Sequence, residues 1–91
     1  MYRIHVMISG AVQGVSFRIS SKDKANELNL TGWVKNIFNN AVEIIAEGQR
    51  EELSQFTGWL QLGPPNATVD KISIEWGEQP DRKFSSFEIH Q

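Results

Sequence analysis

Residues 8–18 read Ile8-Ser9-Gly10-Ala11-Val12-Gln13-Gly14-Val15-Ser16-Phe17-Arg18, which is an apolar run, a glycine-containing loop and the start of a helical pattern. The N–H groups of such a loop and of the first helical turn have no intrahelical acceptor, so several can point at one oxyanion. Gly10 and Gly14 permit backbone conformations that bring the loop close to a ligand. A cation in a first turn opposes the helix dipole. Arg18 therefore indicates a phosphate-like anion between its side chain and the loop amides.

The residues on either side of this stretch predict a strand and a helix. Polarity alternates over residues 2–9, which is typical of a strand with one covered face. His5 falls on the open face and is interpreted as a half-exposed strand position rather than a ligand. Ser16 is predicted to be the N-cap of a helix that reaches about Asn29.

The rest of the chain predicts a hairpin, a second helix and two more strands. Asn39-Asn40 is a turn signal because asparagine tolerates the left-handed region. Leu53, Phe56 and Leu60 have helical spacing, and Gly63-Pro64-Pro65 ends that helix. The predicted strands are residues 33–38 and 41–47 for the hairpin, 71–76 for the fourth strand and a short one within 84–89, with a loop over 77–82.

This order of elements predicts one domain over residues 1–91 with an α+β fold. The compact solution is a ferredoxin-like split βαβ sandwich (βαββαβ), in which two helices cover one face of a mostly antiparallel sheet of four to five strands. A right-handed crossover makes strands one and two parallel, with strand three between them. The loop over residues 10–18 then starts at the same edge of the sheet at which Asn36 lies. Two strand spacings separate the loop from Asn36, which is about 10 Å.

Composition excludes several classes of function. A formal net charge of −2 gives no general attraction to nucleic acid or to an anionic membrane, so an anion site has to be local. The chain has no cysteine, which excludes disulfides, thiolate catalysis and cysteine-based zinc sites. No apolar stretch resembles a signal peptide or a membrane span, and no heptads occur. We therefore expect a cytoplasmic monomer.

Two motifs carry a resemblance to a known family. Residues 8–18 match the acylphosphatase signature of an aliphatic residue followed by Gly-x-Val-Gln-Gly-Val-x-Phe-Arg. Residues 32–36 match a second signature, Gly-aromatic-Val-basic-Asn, and residues 63–69 resemble the family's turn before strand four. The whole chain thus resembles the acylphosphatases. It departs at Asn40, where the family's turn usually carries glycine.

The resemblance implies hydrolysis of acyl phosphates to a carboxylate and inorganic phosphate by direct attack of water, without a metal or a covalent intermediate. A carboxylate whose conjugate acid has a pKa of about 4 is a good leaving group and does not need a general acid to protonate it. Asn36 is implied to orient the water, since an amide cannot act as a general base. Arg18 is implied to hold the phosphoryl oxygens together with the loop amides of Val12, Gln13, Gly14, Val15, Ser16 and Phe17. Lys35 is interpreted as a solvated strand residue.

Two alternatives from other classes remain open at this point. The same architecture hosts proteins that stack RNA bases on aromatic residues of the sheet. The positions expected on the open face offer no such platform and include acids that would repel phosphate. These positions are Arg3, His5, Met7, Glu43, Ile45 and Glu47. The second alternative is an anion-binding domain that keeps the loop but has no turnover.

Overall fold

The computed structural model describes residues 1–14 and 16–90. Within these residues the chain forms five strands and two helices. In chain order they are β1 (Tyr2–Ala11), α1 (Phe17–Glu27), β2 (Thr31–Ile37), β3 (Ala41–Gly48), α2 (Arg50–Leu62), β4 (Thr68–Glu78) and β5 (Phe87–His90).

The strands form one sheet in the order β4-β1-β3-β2-β5. Strand β3 pairs antiparallel with both β1 and β2, so β1 and β2 run parallel and finish at the same end of the sheet. We call this the loop end, and the opposite end, where β1 starts, the far end. The short strand β5 adds parallel to β2. The predicted α+β sandwich is confirmed.

The core lies between the two helices and one face of the sheet. Ile4, Val6 and Ile8 of β1 are fully buried, as their alternation predicted. Each large apolar side chain buried in this way stabilises the fold by about 1.5–3 kcal/mol. Helix α1 packs on β2 and β5, while α2 packs on β4, β1 and β3. The spacing of α2 is also confirmed, because Leu53, Phe56 and Leu60 are all fully buried.

Several boundaries differ from the sequence-based expectation. Strand β4 runs from Thr68 to Glu78 and includes Gly77, which was predicted to lie in a loop. Gly77 pairs with Arg3 because the ladder along β1 continues regardless of side-chain type. Strand β2 ends at Ile37, so Phe38 belongs to the turn. Asn40 adopts the expected left-handed conformation, with φ 56°.

Two positions of the predicted open face are buried instead: Ile45 is 5% exposed, and Glu47 is fully buried. Its Oε1 accepts hydrogen bonds from the backbone N–H groups of Lys83 and Phe84, both at 3.0 Å. Thr31 Oγ1 and Gln79 Nε2 also donate to the carboxylate. The segment after β4 folds over the far end of β3, which an alternation of residue types within β3 cannot reveal.

His5 occupies the half-buried strand position that the sequence predicted. Its Nε2 lies 2.7 Å from Glu43 Oε2, and its Nδ1 lies 3.4 Å from Glu75 Oε1. The middle of the open face therefore carries a histidine between two carboxylates.

Candidate active site

Buried apolar side chains anchor both ends of the loop after β1. Val12 is fully buried, and Phe17 is almost so and packs on Trp59 with ring centroids 6.1 Å apart. Gly14 lies exposed between them with φ 75°. Val15, which was also assigned to the phosphate loop, lies outside the described residues. The described loop is thus fixed at its ends and open to solvent at Gly14.

Gly10 has a different role from the one the sequence suggested. Its φ is 132°, and a Cβ there would collide with the carbonyl oxygen of Thr68 on β4. The register of β1 against β4 shifts between Ser9 and Gly10, which marks a β-bulge. Glycine is required here by the neighbouring strand rather than by a ligand.

Ser16 precedes α1 as expected, but it does not cap the helix with its side chain. Its backbone is left-handed, with φ 62° and ψ 24°, and its hydroxyl makes no capping hydrogen bond. An N-cap serine normally needs an extended backbone to reach the N–H groups of the first turn, so the predicted N-cap position is confirmed but a side-chain cap is not formed. A left-handed residue followed by a helical one instead turns successive N–H groups toward a shared concavity, which is a known anion-binding arrangement.

Arg18 lies in the first turn of α1, which contains no acidic residue, and is half-buried. Its Nη1 donates a hydrogen bond to the carbonyl oxygen of His90 at 3.1 Å. His90 is the register partner of Lys35, the residue before Asn36. Arg18 therefore reaches the loop end of the sheet, beside the chain that carries Asn36.

Gln13 joins the loop to the β2–β3 turn. Its Nε2 donates to the carbonyl oxygens of Ile37 at 2.8 Å and Ala41 at 2.9 Å, which flank the turn. The sequence assigned Gln13 to the loop through its backbone only. The role of its side chain was missed, since no local pattern shows which residue across the sheet it reaches.

Asn36 lies on β2 beside the residue that Gln13 contacts. Its Oδ1 is buried, and no donor among the described residues lies within hydrogen-bonding distance of it. A buried carbonyl oxygen without a partner is uncommon and indicates a water or ligand position. Asn36 borders a cavity of about 320 Å³. The other lining residues are Gln13, Lys35, Ile37 and Phe38.

The structure brings Arg18 and Asn36 to the same end of the sheet through these contacts. Gln13 bonds to the residue after Asn36, and Arg18 bonds to the register partner of the residue before it. Lys35 itself is held by its neighbours, with Nζ 3.7 Å from Glu43 Oε1 and 5.2 Å from the centre of the Trp33 ring.

Two further searches cover only residues 1–14 and 16–90. In this part of the chain, no three histidine, aspartate or glutamate side chains are grouped so that they could hold a metal ion. Neither α1 nor α2 has the length and apolar character needed to cross a bilayer.

The fold and the site together define a small ferredoxin-like α+β domain with a glycine loop at one end of its sheet and an arginine in the first turn of the helix that follows. The family model for acylphosphatases matches residues 4–89. The chain therefore belongs to the acylphosphatase family, a class of enzymes that hydrolyse acyl phosphates. The resemblance that the two motifs indicated is confirmed.

Individual relatives cover nearly the whole chain. An acylphosphatase of Coxiella burnetii (strain RSA 493 / Nine Mile phase I) is 46% identical over 86 residues, which are 94% of this chain and 88% of the relative. An acylphosphatase of Chloroflexus aurantiacus is 40% identical over 98% of this chain and 96% of its own. The crystal structure of acylphosphatase from Bacillus subtilis matches with a TM-score of 0.94 at 33% identity, over 100% of both chains.

Proposed function

We propose that this protein hydrolyses the carboxyl–phosphate anhydride of acyl phosphates by direct attack of water on phosphorus. One observation carries the mechanism: the buried Oδ1 of Asn36 has no described partner, and Asn36 precedes Ile37, to whose carbonyl oxygen Gln13 ties the glycine loop. A water bonded to that oxygen would lie next to an anion held by the loop.

The phosphoryl group is held by main-chain donors and a guanidinium. The left-handed backbone at Ser16 and the helical turn after it support N–H donation to equatorial oxygens. Arg18 has five N–H donors, and its described bond to the His90 carbonyl uses one nitrogen. The remaining donors suit the charge spread over three oxygens in a loose phosphoryl-transfer transition state.

Asn36 orients the nucleophile. Its Oδ1 accepts a hydrogen bond from one O–H of the water, so that a lone pair of the water oxygen is directed at phosphorus. As the P–O bond to the acyl oxygen breaks, the carboxylate leaves with its electron pair. The proton lost by the water passes to a phosphate oxygen, so the products are a carboxylate and inorganic phosphate. No metal and no covalent intermediate takes part in these reaction steps.

RNA binding has less support than hydrolysis. Base stacking requires exposed aromatic residues on the central strands. Strands β1 and β3 instead carry His5 and Glu43 in contact there, with Glu75 of β4 alongside. Carboxylates at this position repel a phosphate backbone.

We also propose that residues 1–91 form one domain and that the protein is a monomer in the cytoplasm. Besides acyl phosphates, the site is proposed to bind inorganic phosphate. Size-exclusion chromatography with light scattering tests the oligomeric state, since a dimer would have twice the mass of the 10.3 kDa chain.

The test of the mechanism is hydrolysis of benzoyl phosphate in ¹⁸O-labelled water with EDTA present, for wild type and Arg18→Ala. We expect phosphate release that EDTA does not reduce, one ¹⁸O in each phosphate and none in the benzoate. Label in the benzoate would place the attack on carbon and contradict the mechanism. Phosphate binding without turnover would favour the anion-binding domain that has no activity.

A further inference from the structure

Two buried side-chain oxygens have no hydrogen-bond partner within residues 1–14 and 16–90. One is Oδ1 of Asn36, and the other is the hydroxyl oxygen of Ser21 on α1. Ser21 is fully buried. Most buried polar groups of a folded protein are hydrogen-bonded, so an exception indicates a water, a ligand or a functional role. The mechanism proposed above uses Asn36 and leaves Ser21 without a role.

Ser21 lies on the face of α1 that is turned toward the sheet. The buried residues of this helix are Phe17, Ser21 and Ala25, which follow each other at intervals of four and so form one stripe. A serine inside a helix often donates to the carbonyl oxygen four residues earlier. The Ser21 hydroxyl makes no such bond to Phe17. It is therefore available to a polar group outside its own helix.

Asn36 lies on the side of β2 that α1 covers. Alternate residues of a strand share a face, so Asn36 shares the face of Val34, which is fully buried in the core. Its register partner on β3, Val42, is also fully buried in the core. Helix α1 packs on β2. Both oxygens without a partner thus belong to the layer between this helix and this strand.

The two residues also lie at a similar depth below the loop end. Helix α1 starts there because it follows the loop after β1, and β2 finishes there. Ser21 is four residues after Phe17, the first residue of α1, which is about 6 Å along the helix axis. Asn36 is one residue before the end of β2, which is about 3 Å along the strand. Helix and strand therefore bring Ser21 and Asn36 to the same region of the interior.

We propose that Ser21 is a positioning residue whose hydroxyl donates a hydrogen bond to Asn36 Oδ1, directly or through one ordered water. This inference rests on the proposed function. A carbonyl oxygen has two lone pairs, so Oδ1 can accept this bond and another from the attacking water. The bond also distinguishes the two ends of the amide, because Nδ2 is a donor and cannot accept it. Ser21 thereby keeps the acceptor end of Asn36 next to the attacking water.

The kinetic test removes the Ser21 hydroxyl with Asn36 present and with Asn36 absent. We expect Ser21→Ala to lower kcat for benzoyl phosphate about three- to tenfold, which corresponds to the loss of one neutral hydrogen bond. KM and inhibition by inorganic phosphate should change by less than about twofold, because the loop and Arg18 are intact. In the Asn36→Ala background, Ser21→Ala should change kcat by less than about twofold, because the amide that it positions is gone.

Ser20→Ala is the matched control for the kinetic test. It removes a hydroxyl from the neighbouring, half-buried position of the same helix and should keep the kinetics of wild type. An equal loss from Ser21→Ala in the wild-type and Asn36→Ala backgrounds would overturn the inference, since a hydroxyl that supports only the helix acts independently of Asn36.

A second pair of variants separates the hydroxyl from the volume of the side chain. Threonine and valine have similar volumes and differ in a hydroxyl against a methyl group. Ser21→Thr should therefore have a kcat about threefold or more above that of Ser21→Val. Equal kcat values for these two variants would contradict a role for the hydroxyl, whatever the effect of alanine.

The side-chain amide of Asn36 reports the contact without any need for turnover. Its Nδ2–H₂ NMR signals in ¹⁵N-labelled protein are assigned by their loss in Asn36→Ala. We expect them to shift in Ser21→Ala and to keep their positions in Ser20→Ala. This pattern in a protein that hydrolyses no acyl phosphate would support the contact and contradict only the proposed function. Normal hydrolysis by wild type, with the Asn36 signals unmoved in Ser21→Ala, would overturn the contact and leave the proposed function intact.

Discussion

Two buried polar groups, Glu47 and Asn36, lie on paired strands at opposite ends of the sheet and differ in how they are satisfied. Glu47, at the far end, accepts hydrogen bonds from two backbone N–H groups and two side chains. Asn36 Oδ1, at the loop end, has no donor among the described residues. A buried acceptor that the protein saturates holds the structure together, whereas one that it leaves open is available to a water or a substrate.

The largest expected effect is the loss of activity in Arg18→Ala. Removing a preorganised donor to the transferring group lowers kcat/KM by about a hundredfold or more. Inorganic phosphate binding should weaken in parallel, while the melting temperature should change little because Arg18 makes one described hydrogen bond. Kinetics with benzoyl phosphate and phosphate titration measure both. Arg3→Ala, at the far end of β1, is the control, and equal losses in both variants would contradict the assignment.

Glu47→Ala should have the next largest effect, on stability rather than on chemistry. It leaves the N–H groups of Lys83 and Phe84 without their acceptor, and bonds to a charged group contribute about 1.5–3 kcal/mol each. We expect the free energy of unfolding in urea to fall by about 3 kcal/mol. Glu47→Gln, which keeps an acceptor, should lose less. If Glu47→Ala had the same free energy of unfolding as wild type, the contrast between the satisfied Glu47 and the unsatisfied Asn36 would be wrong.

Asn36→Ala should lower kcat about ten- to a hundredfold and leave phosphate affinity and stability nearly unchanged. The reason is that Oδ1 has no described partner whose bond would be lost, while orientation of the water depends on it. Steady-state kinetics and phosphate titration give the comparison, with Asn26→Ala on the exposed surface of α1 as the matched control. Full turnover in Asn36→Ala would rule out the role in orienting water.

The smallest effect is expected from Gln13→Ala, which removes the two bonds between the loop and the turn. We expect a loss of stability of about 1–2 kcal/mol, since each neutral hydrogen bond contributes about 1 kcal/mol. Activity toward benzoyl phosphate should fall less than in Asn36→Ala, because Gln13 positions the loop rather than the water. Urea unfolding and steady-state kinetics with benzoyl phosphate test this, and unchanged stability in Gln13→Ala would show that the two bonds do not hold the loop to the turn.

The elements that could be predicted from the sequence depend on local periodicity. Alternation of polarity in β1 predicted its buried face correctly. The spacing of Leu53, Phe56 and Leu60 likewise predicted the face of α2 that packs on the core. The motif over residues 8–18 also led to the family. These signals are carried by neighbouring residues, so one sequence is enough to read them.

What could not be predicted depends on contacts between distant segments. Glu47 alternates like an exposed residue, and only the folding of residues 79–84 over β3 makes it buried. Gln13 donates to carbonyl oxygens 24 and 28 positions away in the chain. Glycine is required at position 10 because the carbonyl oxygen of Thr68 leaves no room for a Cβ. Ser16 has a typical capping side chain but a left-handed backbone. Side-chain type alone does not specify any of these partners.

The pair of bonds from Gln13 has an evolutionary consequence. Both acceptors are main-chain oxygens, which every amino acid possesses, so the attachment does not depend on which side chains occupy the three positions between them. Selection can therefore exchange residues 38–40 while the attachment of the turn to the glycine loop is kept. The side chains of one short turn are thereby free to vary without altering how the turn is attached.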